Sequence, residues 1–380
     1  MSKFLPFTRP TIDEATIAGV VEVLRSGWIA SGPKVLELEA ALAAYLGGGR
    51  QVRVMTSATG ALEIALLAAG VGPGDEVIVP AMTFAASANV VVRIGAVPKF
   101  VDVELRSRNA TPAAIAEAIT PRTRAIMPVH FAGLACDIDA INALARERRL
   151  RVVEDAAHAI GTRYRGRLIG SFGDFVCFSF HPNKNMTTIE GGALCYAPDA
   201  AATLLIDRER FHGISKDVAG NVDVFRAGGK YNLTDVAARV GIGQLQQLEA
   251  FNAQRRALAE HYFERLGRRL DPDMLPLPTN DGHSWHLFGL LLPLARLGCT
   301  RDAFVARMHE RGIGLGIHYP SVPDLSFYRG LGHDPAAYPN AARIGAETVT
   351  LPLFPAMTRA DVDRVCDTLL ELLGPEGATR

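Results

Sequence analysis

A chain of 380 residues with 48% hydrophobic and 21% charged side chains suits a large α/β enzyme or two to three domains, and excludes wholesale disorder. Lysine plus arginine (40) cancels aspartate plus glutamate (40), so no global field draws the protein to nucleic acid or an acidic membrane; an anionic ligand needs a local site. Cys136, Cys177, Cys195, Cys299 and Cys366 are odd in number, scattered and without a CxxC pair, which excludes a disulfide scaffold or zinc ribbon. The opening residues lack the apolar core of a signal peptide, and the longest apolar run, Leu287 to Ala295, is too short to span a bilayer. The expectation is a soluble, cytoplasmic protein.

In chain order, strand and helix patterns alternate. Val52–Thr56 reads as a strand, Thr59–Ala69 as a helix, Glu76–Pro80 as a buried strand, Ala85–Ile94 as a helix and Val97–Val101 as a strand. Thr111–Ile119, Arg124–Val129, Ile138–Arg148 and Leu150–Glu154 continue the alternation, and Asp174–Phe180 and Gly192–Tyr196 add two strands. Continuous Val/Ile runs between helices predict a mostly parallel sheet covered on both faces, with ligands at the carboxyl ends of its strands. A long helix spans about Thr234 to Leu266, and Asp271–Pro278 reads as a linker. Strand Leu287–Leu292 and helices Arg301–Arg311 and Arg359–Leu373 then predict a smaller α+β domain. The expected division is 1–250 and 251–380.

Chemistry concentrates just after the strands. Lys184, in Ser179-Phe-His-Pro-Asn-Lys-Asn followed by Glu190-Gly-Gly, is a charge left in an apolar strand-to-loop setting. A buried lysine loses its proton readily, and a neutral amine attacks carbonyls. Asp155 ends the strand of Val152-Val-Glu-Asp-Ala-Ala-His158, where a carboxylate either faces the ligand crevice or caps the next segment. Thr56-Ser57-Ala-Thr59-Gly at a helix start offers hydroxyls and free N–H groups to a phosphate, or simply caps the helix. Phe84, after the next strand, stacks on a flat ring or belongs to the core. His283 and His286 would face opposite sides of a strand, so no metal site is expected. Arg226, Arg255, Arg256, Arg265, Arg268 and Arg269 read as solvated faces.

Together these segments resemble the DegT/DnrJ/EryC1/StrS family of aminotransferases that use pyridoxal 5'-phosphate (PLP), within the fold-type I superfamily. Arg25-Ser-Gly-Trp-Ile-Ala-Ser-Gly-Pro-Lys34, Val153–His158, Ser179–Asn185, Gly229-Lys-Tyr-Asn-Leu-Thr-Asp235 and Gly314-Leu-Gly-Ile-His-Tyr-Pro320 carry the resemblance in order over nearly the whole chain. It implies that Lys184 holds PLP as a Schiff base and shuttles the proton, that Asp155 pairs with the pyridine nitrogen, and that His158 lies near the ring hydroxyl. Phe84 would stack on the ring, and Ser57, Thr59 and Ser179 would hold the phosphate. Lys230, where many relatives have asparagine, would reach the phosphate in a partner subunit, making a homodimer with shared sites. Phe7, Trp28, Ile29, Ala30, His318 and Tyr319 would bind substrate.

The implied reaction moves an amino group from glutamate to a keto group of a nucleotide-linked sugar. Pro128-Val-His-Phe-Ala-Gly133 is similar to the branch that aminates C4 of UDP-linked 4-keto sugars, including the pentose of lipid A modification. Two alternatives are weighed. A PLP-dependent sugar dehydratase would carry histidine where Lys184 stands, and a catalytically silent regulatory relative would not need Lys184, Asp155 and Ser179 together.

Overall fold

The computed structural model describes residues 4–216, 219–279 and 282–378. Strands β1 (Gln51–Met55), β2 (Glu76–Pro80), β3 (Val97–Val101), β4 (Thr123–Ile126) and β5 (Arg151–Asp155) alternate with helices Ala58–Ala68, Ala85–Arg93, Pro112–Ala118 and Ile138–Arg148. A small hairpin, β6 (Arg163–Tyr164) and β7 (Arg167–Leu168), leads into β8 (Phe175–Ser179), and β9 (Gly192–Tyr196) follows the loop 180–191. The hairpin β10 (Ile214–Lys216) and β11 (Val222–Val224) precedes the helix Asp235–Leu266, and β12 (Phe288–Leu291) pairs with β13 (Thr348–Leu351).

Seven strands form one sheet in the order β1-β9-β8-β5-β4-β2-β3. β9 is antiparallel to both its neighbours, while β8, β5, β4, β2 and β3 pair in parallel. The mixed α/β architecture expected of a fold-type I enzyme is therefore present, with one strand reversed. That reversal has a consequence for function. A parallel connection after β8 would carry the chain to the other end of the sheet through a crossover. Because β9 runs back, loop 180–191 stays at the carboxyl edge, beside the ends of β1 and β5.

The reversed strand needs a glycine at its start. Gly192 pairs with both Met55 and Ser179. A Cβ there would lie 2.4 Å from the Ala58 nitrogen and 2.5 Å from the Ser57 carbonyl carbon. Only a residue without a side chain lets the first turn of helix Ala58–Ala68 press onto the sheet edge.

Two helices beyond the sequence reading, Glu14–Ser26 and Pro33–Leu46, open the chain. Asp235 anchors the second: its carboxylate accepts from the N–H groups of Gly32 (2.8 Å), Lys34 (3.1 Å) and Val35 (3.0 Å), and its own N–H donates to the Ala30 carbonyl (2.7 Å). Segment 28–32 is thereby tied to a helix some 200 residues away.

A separate apolar core joins the later part of helix Asp235–Leu266 to β12, β13 and helices Arg301–Glu310 and Arg359–Ala378. It corrects two expectations. Met274 and Leu275 are buried in this core, so Asp271–Pro278 is a packed segment and not a free linker. Arg255 is buried, not solvated: its Nη1 donates to the carbonyls of Leu353 (2.7 Å), His286 (3.3 Å) and Trp285 (3.4 Å), which replace water around the guanidinium. No helix among the described residues is long and apolar enough to cross a membrane.

The close approach at Gly192 generates the first prediction. Gly192→Ala should cost about 1–3 kcal/mol by overpacking a backbone that cannot yield without moving the helix start. Thermal unfolding checks it; an unchanged Tm would mean that this sheet edge gives way freely.

Candidate active site

A cavity of about 320 Å³ opens at the carboxyl ends of β1, β5 and β8, walled on one side by the His318–Tyr319 segment. Ser57, Thr59, Phe84, Asp155, His158, Ser179, Lys184, His318 and Tyr319 all line it. The sheet explains the convergence, since parallel strand ends from distant parts of the chain meet at one edge.

Lys184 enters from loop 180–191, where its N–H donates to the His181 carbonyl (2.9 Å). The side chain is half-buried, and desolvation pushes the amine down to about 8, opposed by the charge of Asp155. At pH 7.5 about a quarter of such amines are neutral, against roughly one in a thousand for an ordinary lysine.

Asp155 is buried at the end of β5. Its Oδ2 accepts from Ser87 Oγ (2.7 Å), its Oδ1 from the Ala157 N–H (3.1 Å), and Thr83 Oγ1 lies 2.7 Å from the same Ser87 hydroxyl. No helix follows for it to cap, so these bonds aim the carboxylate at the cavity. Ser57 does cap its helix, accepting from the Gly60 N–H at 3.0 Å, which leaves the first N–H groups of the helix directed at the cavity as an anion cradle. Ser179 is buried beside them, and Phe84 is 56% exposed, free to cover a flat ligand.

On the opposite wall, His158 Nε2 lies 3.1 Å from Tyr319 Oη, and Phe84 packs on Tyr319 with ring centroids 5.3 Å apart. His318 bonds Thr350 Oγ1 through Nδ1 (2.9 Å), and burial, reinforced by Lys184 and Arg108, lowers its titration to about 3. Burial likewise holds His158 well below the ordinary histidine range.

Phe7 reaches this wall indirectly, its ring 5.0 Å from that of His318. Trp28, Ile29 and Ala30 are exposed on the surface and do not line the cavity of their own chain. Lys230 is also exposed; its ammonium sits 4.4 Å from the Phe211 ring centroid and bonds Asn232 Oδ1. His283 and His286 are both buried just before β12, His283 stacked 3.9 Å from Trp285 and His286 4.5 Å from His158.

Sequence reasoning passed over Ser87, Thr83, His181, Asn183 and Glu190. Ser87 stands three residues after Phe84, one helical turn into Ala85–Arg93, a spacing that places both near the same edge. His181, Asn183 and Glu190 belong to the loop that carries Lys184, with His181 Nδ1 2.8 Å from Asn183 Oδ1.

These groups fit PLP. A desolvated amine without an ion pair among the described residues, a carboxylate held at a strand end, and a helix N-terminus lined by Ser57 and Ser179 match an aldehyde, a pyridine nitrogen and a phosphate. The fold and the site together define a PLP-dependent enzyme of fold-type I. The model of the DegT/DnrJ/EryC1/StrS aminotransferase family matches residues 10–370, and the chain belongs to that family. The chain is similar to the putative sugar aminotransferase Spr1654 from Streptococcus pneumoniae in its PLP form (32% identity, 97% and 98% of the two chains, TM-score 0.89) and in its PMP form. It is similar also to TlmJ of Streptoalloteichus hindustanus (32%, 97% and 98%, 0.88) and to Helicobacter pylori PseC, an aminotransferase of pseudoaminic acid biosynthesis (25%, 97% and 99%, 0.90). It is a PLP-dependent sugar aminotransferase.

The lowered titration of Lys184 gives a test without cofactor. In the cofactor-free protein, acylation of Lys184 by an amine-reactive reagent, read by peptide mass spectrometry, should rise with pH to a midpoint near 8. Exposed lysines should still be gaining reactivity beyond pH 10. A Lys184 profile matching theirs would remove desolvation from the account.

Proposed function

We propose that this aminotransferase transfers the amino group of glutamate to a keto group of a nucleotide-linked sugar. The observation that carries this reading is a desolvated Lys184 amine facing the same cavity as the fixed Asp155 carboxylate. When bound, PLP supplies an electron sink for the carbanion formed at the substrate carbon. Lys184 would hold the cofactor until the substrate amine displaces it, and its freed Nζ would then take and return the proton at the reacting carbon. Asp155 would pair with the ring nitrogen and keep a proton there, Phe84 would cover the ring, and Ser57, Thr59 and Ser179 would receive the phosphate. Within the family, Pro128–Gly133 supports a UDP-linked 4-keto sugar aminated at C4, in a cytoplasmic route to an amino sugar such as that of lipid A.

The working unit we propose is a homodimer with shared sites. Lys230, exposed and outside its own cavity, becomes a point charge for the phosphate in the partner, a charge-assisted contact that ties cofactor binding to assembly. Trp28, Ile29 and Ala30, equally unplaced in one chain, then border the partner's site. In this reading residues 1–250 carry the cofactor and 251–380 form the smaller domain.

Three outcomes are expected. Screening UDP-, dTDP- and GDP-linked keto-sugars with glutamate should yield an amino sugar by mass spectrometry, most rapidly with a UDP-4-keto sugar; 2-oxoglutarate appearing with none of them contradicts the substrate class. Asp155→Asn should cost several kcal/mol of transition-state stabilisation, on the order of 10²–10³ in kcat. Near-normal turnover would leave Asp155 a structural turn residue. Mixing inactive Lys184→Ala and Lys230→Ala chains should restore some activity, because one site of the mixed dimer then has neither defect; a fully active Lys230→Ala protein contradicts sharing.

A further inference from the structure

We propose that the turn Phe131–Gly133 locks His158 in its Nε2–H form, and that Tyr319, engaged through its oxygen, therefore turns its own hydroxyl proton to an oxygen of the sugar. The second half rests on the functional reading above; the first does not.

The turn has an unusual backbone. Ala132 adopts φ 57°, a left-handed conformation uncommon outside glycine, and Gly133 follows at φ +94°. A Cβ on Gly133 would come within 2.4 Å of Ser284 Oγ and 3.1 Å of the His158 carbonyl, so the site admits only glycine. Surrounding bonds hold this shape. The Phe131 N–H donates to Asn109 Oδ1 (3.0 Å), Thr162 Oγ1 donates to the Gly133 carbonyl (2.8 Å), and the His286 N–H donates to the Ala132 carbonyl (2.9 Å). The outcome is that the Ala132 N–H points at Nδ1 of His158, at 3.2 Å.

An amide N–H can only donate. Nδ1 must therefore present its lone pair, and a neutral imidazole then carries its one proton on Nε2. The surroundings keep the ring neutral: it is buried, with Lys184 and His318 close enough to disfavour a second positive charge and the His286 ring 4.5 Å away. Nε2–H faces Tyr319 Oη at 3.1 Å, so the histidine donates and the phenol oxygen accepts.

The phenol proton must then go elsewhere. Tyr319 is walled by the rings of Phe84 (5.3 Å), His318 (4.8 Å) and Phe131 (6.2 Å), and no other hydrogen-bond partner of its hydroxyl occurs among the described residues. The open direction is the cavity it lines. Burial and the nearby Asp155 charge raise the phenol's titration, so it keeps that proton through the working range. Tyr319 is thus a donor with its direction set in advance, suited to a sugar oxygen. Ala132 and His158 act as positioning groups behind it.

Neutron diffraction from deuterated crystals, or long-range ¹⁵N–¹H spectra of histidine-labelled protein, reads the lock without activity. The expected result is hydrogen on Nε2 and none on Nδ1 of His158, in the wild type and unchanged in Tyr319→Phe, since the lock lies behind the ring. Hydrogen on Nδ1 in either protein overturns it. For the substrate half, the two half-reactions of Tyr319→Phe are followed separately by cofactor absorbance. The keto-sugar half-reaction should lose on the order of ten- to hundredfold more kcat/KM than the glutamate half-reaction. Equal losses, or none, overturn the assignment to the sugar. A wild-type protein that aminates no keto-sugar overturns the functional reading and the sugar contact with it, while the imidazole signature still decides the lock.

Discussion

Taking a lysine ammonium out of water without a fixed counter-ion raises the free energy of the folded chain, and the rest of the site is arranged around accepting that. Lowering the Lys184 titration from 10.5 to about 8 corresponds to about 3 kcal/mol at neutral pH. The sign follows from proton counts. Between about pH 8 and 10.5 the unfolded chain binds more protons at this position than the folded one, so stability rises with pH across that window. Below pH 8 the full cost is present. What is gained is a lysine neutral often enough to act as a nucleophile and proton carrier near physiological pH.

That amine reaches its place through strand order. The antiparallel β9 keeps loop 180–191 at the carboxyl edge, where β5 delivers Asp155 and β1 delivers Ser57. Gly192 lets the helix start settle against the reversed strand, and the bonds from Ser87 and Ala157 keep Asp155 from turning away. Each device acts on orientation. The residues opposite, His158, His318 and Tyr319, are held neutral by burial, so that wall brings no charge of its own to face Lys184 and Asp155. An anion cradle at the helix N-terminus completes an environment suited to a ring with a phosphate tail.

Much of this was legible in the chain itself. Strand-terminal Asp155 and loop-borne Lys184 stand out because a parallel sheet puts such positions at one edge, and continuous Val/Ile runs announce the sheet. The Ser87–Asp155 bond was not legible, because it joins residues 68 apart whose meeting depends on which strands are neighbours. Arg255 was misread for a related reason. Its position on a long charged helix suggests solvent, yet three carbonyls from two later segments enclose it. Asp271–Pro278 looked like a linker by composition, although Met274 and Leu275 are the residues that pack. The work of Ala132 rests on a left-handed backbone at a non-glycine position, which no local pattern signals. Trp28 and Lys230 are a different case, since neither lines the cavity of its own chain.

The central claim is that Lys184 is the residue joined to the cofactor. Borohydride reduction of the PLP-loaded protein, followed by proteolysis and peptide mass spectrometry, addresses it directly. One reduced, cofactor-bearing peptide is expected, the one containing Lys184, and none from Lys184→Ala. Recovery of the reduced cofactor on any other lysine would contradict it.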